Sequence, residues 1–135
     1  MPAFIDTNVL LYSLDTKTPQ KREAAATLLR RRELVLSVQV LQEFYVQATH
    51  ARRIDALTHE DAVALMATWR RYPIVDNTLA LVDAGLAICA SARLSFWDAM
   101  IVAAAASAGC EALYSEDLNA GQTIAGVRVI NPFAA

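Results

Sequence analysis

Short apolar runs alternate along this chain with longer stretches whose apolar residues recur every three or four positions, a pattern of buried strands separated by helices. Ala3-Phe4-Ile5 is the first strand, ended by Asp6-Thr7-Asn8, after which Val9 to Leu14 turns helical. Thr18-Pro19 opens a second helix, with Thr18 as N-cap and Pro19 at its first position, running to about Arg32. Leu34-Val35-Leu36 is the next strand. Ser37 caps a helix through about Thr49, with Val38, Leu41, Tyr45 and Ala48 on its apolar face. Thr58 with Asp61 makes a capping box for a helix ending near Arg71, before Pro73.

Tyr72 to Val75 reads as an edge strand, because Pro73 has no N–H to give to a ladder. Thr78 starts a helix to about Ala92. Ser95 caps another, Phe96 to Ala108, apolar nearly all round and therefore buried, which ends at Gly109. Ala112-Leu113-Tyr114 is a fourth strand, followed by a polar stretch through Gly121, and Val127 to Ile130 is a fifth. The alternation predicts a three-layer α/β/α fold with a central, mostly parallel five-stranded sheet and right-handed crossovers.

In such a sheet, helix N-termini and strand C-termini share one edge, the edge where open α/β sheets bind ligands. Four acids map there. Asp6 ends the first strand and Asp117 follows the fourth, while Glu43 lies within two turns of its helix start and Asp98 in the first turn of its own.

At 135 residues the chain is the size of one domain, residues 1–135. No run reaches the ~18 uncharged apolar residues of a membrane helix, and Met1-Pro2-Ala3-Phe4 lacks the basic start of a signal peptide, so a cytoplasmic protein is expected, with no membrane. An apolar content of 56%, rich in Ala and Leu, exceeds what one small core needs and points to a homodimer or a helical partner. Cys89 and Cys110 have no metal-ligand spacing and read as buried thiols. The net charge of −2 argues against a protein that coats nucleic acid generally. With the four acids set aside, 10 of the 14 acids remain against 12 bases, clustered as Lys21-Arg22, Arg30-Arg31-Arg32, Arg52-Arg53 and Arg70-Arg71. Those clusters are either solvated helix ends or a path for a phosphate backbone.

Taken singly, each acid has a second reading. Asp6 suits a helix N-cap, Asp98 a capping box with Ser95, and Asp117 a solvated loop; Glu43 is the hardest to dismiss, standing alone among Val38 to Val46. Together they repel. Two carboxylates about 4 Å apart cost roughly 4 kcal/mol at an effective dielectric near 20, which a divalent ion offsets. All-oxygen ligands select Mg²⁺ or Mn²⁺, an ion able to activate water for phosphodiester hydrolysis. Nothing else in the sequence supplies a nucleophile elbow, a P-loop or GxGxxG, and His50 and His59 sit at helix ends.

The segments Phe4-Ile5-Asp6-Thr7-Asn8-Val9-Leu10, Gln42-Glu43-Phe44, Phe96-Trp97-Asp98-Ala99 and Ser115-Glu116-Asp117-Leu118, in this order and over the whole length, resemble the PIN-domain ribonucleases, in size the VapC-type toxins of toxin-antitoxin pairs. The resemblance implies that Asp6 and Asp98 are the principal Mg²⁺ (or Mn²⁺) ligands, with Glu43 and Asp117 completing the catalytic cluster directly or through water. It gives Asn8 and Ser115 supporting roles, although Thr is frequent at the latter position. It also implies a homodimer, a cognate antitoxin and an RNA substrate, toward which Arg52 and Arg53 are the candidate backbone contacts. Two other readings share this sheet edge. Haloacid-dehalogenase-like phosphatases need an aspartate where Asn8 stands, and an amide cannot exchange that proton. A receiver-like Mg²⁺-binding module needs an aspartate after a middle strand, for which Asp76 is available, and a downstream lysine, of which there is none after Lys21.

Overall fold

The first strand, β1 (Ala3–Ile5), has every residue buried, as a strand covered on both faces requires. The computed structural model describes residues 1–134. After β1 come α1 (Thr7–Tyr12), α2 (Pro19–Leu29), β2 (Leu34–Ser37), α3 (Val38–Ala48), α4 (His59–Trp69), β3 (Ile74–Val75), α5 (Leu79–Ala92), α6 (Phe96–Ser107), β4 (Ala112–Tyr114), β5 (Thr123–Ile124) and β6 (Val127–Ile130). The sheet runs β3-β2-β1-β4-β6-β5, parallel except for β5 against β6. Helices cover it in the expected three layers, and β3 is the edge strand that Pro73 predicts.

That order fixes where a ligand can bind. From β1 the chain moves outward through β2 to β3, then crosses back to lay β4 on the other side of β1. Neighbouring connections therefore leave in opposite directions between β1 and β4, opening a crevice at their C-terminal ends. Asp6 and Ser115 are the residues that immediately follow these two strands.

Four caps form as the sequence dictates. Ser37 accepts from the Val40 N–H, Thr58 from Asp61, Thr78 from Leu81 and Ser95 from Asp98. Thr18 departs from this: it stands at the N-cap position of α2, but its hydroxyl donates to Asp15 instead. The Thr18 backbone, at ψ 78° where the residues that do cap stand near 160°, does not have the extended conformation that aims a cap hydroxyl at the first turn. Helix α1 also begins earlier than the apolar pattern suggests, because Asp6 caps it through the Thr7 N–H.

Two expectations are corrected. The sheet has six strands rather than five; β5 is a two-residue strand joined to β6 by Ala125 and Gly126, both at positive φ (51° and 80°), the mirror-image turn that suits a two-residue hairpin. On α3 the buried side is Gln39, Val40, Phe44 and Ala48, whereas Val38, Leu41 and Tyr45 are only half-covered, beside α4. A polar residue on the buried face, Gln39, hid the true stripe.

Helix α6 is buried from Ala99 to Ala105 and packs on α5. Their approach depends on Gly85, where a Cβ would lie 2.4 Å from the Met100 Sδ. Cys110 is buried in the core and Cys89 half-buried, both free thiols. No single helix among the described residues is long and apolar enough to cross a membrane.

Candidate active site

Asp6 is 6% exposed and divides its two oxygens between two tasks. Oδ1 accepts from the Thr7 N–H at 2.7 Å and caps α1; Oδ2 faces the crevice, accepting from the Ser115 hydroxyl at 2.7 Å and the Asn8 amide at 3.4 Å. Capping and site chemistry are thus not alternatives for this residue. Burial raises its pKa to about 6, against the pull of Ser115 and Thr7, and the charges of Glu43 and Asp117 push the same way as burial.

Asn8 ties the crevice together. Its Oδ1 accepts from the Glu116 N–H at 3.1 Å, which turns Nδ2 toward the acids. That nitrogen donates to Asp117 Oδ2 at 3.1 Å and lies 3.3 Å from Ser115 Oγ and 3.4 Å from Asp6 Oδ2. Ser115 in turn accepts from the Asp117 N–H at 3.2 Å. The β4 end is braced from outside by Glu116, whose carboxylate takes the Lys21 ammonium at 2.6 Å and the Tyr12 hydroxyl at 2.7 Å. Burial pushes Glu116 up, yet Lys21 and Tyr12 outweigh it and hold its pKa below the ordinary value. The adjacent acids therefore divide: Glu116 anchors the loop, and Asp117 is left to the crevice.

Glu43 is held from two sides by neutral donors. Thr7 Oγ1 donates to one oxygen at 3.1 Å and Gln39 Nε2 to the other at 2.7 Å. The same Gln39 nitrogen reaches the main-chain oxygen of Trp97 at 3.2 Å, so α3 and the start of α6 are joined one residue from Asp98. Ser95 Oγ accepts from the Asp98 N–H at 3.2 Å, but the Asp98 carboxylate does not close the box and has no hydrogen-bond partner among the described residues. The capping reading of Asp98 thus accounts for its backbone and not for its charge.

The structure gathers Asp6, Glu43 and Asp117 around Thr7, Asn8 and Ser115, while Asp98 joins them only through Trp97 and Gln39. Among the described residues, no three Asp, Glu, His or Cys side chains stand close enough to enclose one ion. None of the four acids makes a salt bridge there either. The donor chemistry fits a hard divalent cation: carboxylate oxygens, supported by neutral hydroxyl, amide and N–H donors, with one acid raised by burial first and by its neighbours' charge second.

Of the two arginines, Arg53 reaches the site and Arg52 does not. Arg53 lines a cleft of about 340 Å³ with Asn8, Asp117 and Gln47; its Nη2 donates to the Leu11 carbonyl at 3.4 Å, and its buried Nε has no partner. Arg52 is exposed in the neighbouring pocket, which Arg53 shares. Sequence reasoning passed over Thr7, Gln39, Lys21 and Tyr12. Only Gln39 carried a readable signal, as a polar residue one helical turn before Glu43.

A family model described as the PIN domain matches residues 3–123. The chain belongs to the PIN domain family.

Solved structures carry the same fold. This PIN domain is similar to a chain of a toxin-antitoxin complex from Klebsiella pneumoniae (TM-score 0.71, 20% identity, 96% of this chain and 97% of that one). It is likewise similar to a chain of FitAcB from Neisseria gonorrhoeae (0.69, 18%, 98% and 99%). A third is VapC20, a sarcin-ricin-loop-cleaving toxin from Mycobacterium tuberculosis (0.67, 20%, 85% and 91%). No curated protein matches the sequence. The rival readings fall away on structure as well. Asp76 follows β3, at the sheet edge, where a receiver-like site needs a middle strand, and the amide at Asn8 is engaged as a donor to acids.

Proposed function

We propose that this PIN domain is a Mg²⁺- or Mn²⁺-dependent endoribonuclease that acts as the toxin of a toxin-antitoxin pair. One observation carries the reading: Asp6, Glu43 and Asp117 are linked at the switch point of the sheet through the neutral partners Thr7, Asn8 and Ser115, and none of them makes a salt bridge among the described residues. Carboxylates linked in this way leave charge for a cation from solution to offset. Asp6 and Asp98 are the residues to hold it, with Glu43 and Asp117 directly or through water. Bound there, the ion supplies acidification of water and neutralisation of charge at a phosphodiester.

The chain's own residues do the rest. Ser115 and Thr7 keep the Asp6 oxygens fixed, Asn8 keeps Asp117 facing the crevice, and Gln39 holds Glu43 against α6. No side-chain nucleophile is needed, since water attacks. Arg53, at the wall of the cleft, is placed to receive the backbone of the RNA. The toxin role, and with it a cognate antitoxin, is supported by the similarity over nearly the whole length to a chain of a toxin-antitoxin complex; a homodimer is part of the same proposal and rests on the apolar content of the sequence.

Protein purified free of antitoxin should cleave RNA with Mg²⁺ or Mn²⁺, stop in EDTA and resume on re-addition. Asp6→Asn and Asp98→Asn should each abolish cleavage and relieve growth inhibition on expression. Undiminished cleavage by either variant would sink the assignment.

A further inference from the structure

Beside the acids lies a groove of different chemistry. It encloses about 450 Å³ and is lined by Gln39, Gln42, Glu43, Val46, Gln47 and Trp97. Glu43 is its one charged wall, so nothing in it attracts a phosphate. What it offers is an aromatic face and several amides.

Trp97 is 65% exposed, whereas Trp69 is 4% exposed and packs edge-on against Phe44. Although exposed, Trp97 is held in place. Phe96 meets its ring edge-on at 5.1 Å, and its main-chain oxygen accepts from Gln39 Nε2. Because that nitrogen also donates to Glu43, one amide fixes both the indole's backbone and a site carboxylate. The groove adjoins the acidic cleft, with Gln47 forming a wall of both. On the far side of Gln47 stands Arg53 with its unpartnered Nε. The two spaces divide the parts of a nucleotide, a cation for phosphate in one and a π face with amides for a base in the other.

Resting on the ribonuclease reading of the acids, we propose that Trp97 is the platform on which an unpaired RNA base next to the scissile phosphate stacks, with Gln42 and Gln47 at its edge. A base within a duplex has both faces covered and cannot use such a platform. The groove therefore takes an unpaired base.

Because Trp69 is buried, emission quenched by RNA reports Trp97. Protein in EDTA, which prevents hydrolysis, is titrated with a short single-stranded oligoribonucleotide, with its duplex, and with a version carrying abasic positions. The unpaired strand should quench; duplex and abasic strands should bind about 5- to 150-fold more weakly, the range of one base-aromatic stack. With metal restored, Trp97→Ala should raise KM by a similar factor with kcat little changed, and Trp97→Phe should recover most of it. Cleavage of the same strand without quenching, or an unchanged KM in Trp97→Ala, overturns the platform and leaves the ribonuclease standing. Emission that changes with protein concentration alone, with no response to RNA, overturns it in favour of a second copy on this face. Quenching by a protein that cleaves no RNA retains the platform and removes the ribonuclease.

Discussion

The hydroxyl of Ser115 donates to Asp6 Oδ2 at 2.7 Å, joining the ends of the two strands that flank the switch point. It is the strongest pull toward ionisation on a carboxylate that burial has driven up to about 6. In Ser115→Ala that pull is gone, so Asp6 should protonate at still higher pH. We expect the acid limb of the pH–rate profile to move upward and affinity for the divalent ion to fall about 10- to 100-fold, as for other residues that orient metal ligands. Ser115→Thr keeps the hydroxyl and should retain most of both. Calorimetric titration with Mn²⁺ and a pH–rate series check the pair; an acid limb that stays in place would separate Ser115 from Asp6.

The same raised pKa has a consequence for stability. An aspartate titrating near 3.8 when unfolded and near 6 when folded holds its proton more tightly in the fold. Its contribution is therefore most favourable below the unfolded value and is lost as pH rises through 6, a penalty of about 3 kcal/mol at neutrality. In EDTA, Asp6→Asn should be more stable than the parent at pH 7.5, and the gap should close toward pH 4. Urea denaturation at the two pH values measures it. Added Mn²⁺ should stabilise the parent at pH 7.5 and leave the variant unmoved.

Asn8 offers a test of opposite sign. Aspartate at this position keeps the acceptor for the Glu116 N–H but replaces the donor that faces Asp117 and Asp6 with another negative charge. Asn8→Asp should destabilise the metal-free protein by about 1–3 kcal/mol, the cost of a lost donor among acceptors, and should recover in part with Mg²⁺. Thermal denaturation with and without the ion decides it. Equal melting temperatures for parent and variant in EDTA would mean that the amide does not separate the acids.

How much of this was legible follows from what kind of interaction places each residue. The strand–helix order was readable because Ala3 to Ile5, Leu34 to Leu36 and Ala112 to Tyr114 are continuous apolar runs, and because Ser37, Thr58, Thr78 and Ser95 cap from within their own segments. Putting Asp6 and Asp117 at one edge needed only that order. Contacts between distant segments were not legible: nothing near Glu43 announces Thr7, and nothing near Glu116 announces Lys21 and Tyr12. Nor could the apolar pattern of α3 be phased correctly, since its buried face carries Gln39, retained there for two hydrogen bonds. Strand β5 escaped for a third reason. Two residues inside a polar stretch give no periodicity, and the turn that makes them a strand lacks the usual Asn-Gly or Asp-Gly.

That turn leads to the last test. Ala125 sits at φ 51°, where the methyl group crowds the following carbonyl and where asparagine is tolerated far better. Gly126, at φ 80°, already meets the demand of the second position. Ala125→Asn should therefore stabilise the hairpin by about 1 kcal/mol, whereas glycine relieves the strain but frees the unfolded chain by a similar amount and should be near neutral. Valine, branched at Cβ, should destabilise. Urea midpoints that shift in this order with an unchanged slope would establish the turn. Cleavage should be untouched in all three, because β5 lies on the outer edge of the sheet, beyond β6 and β4 from Asp6.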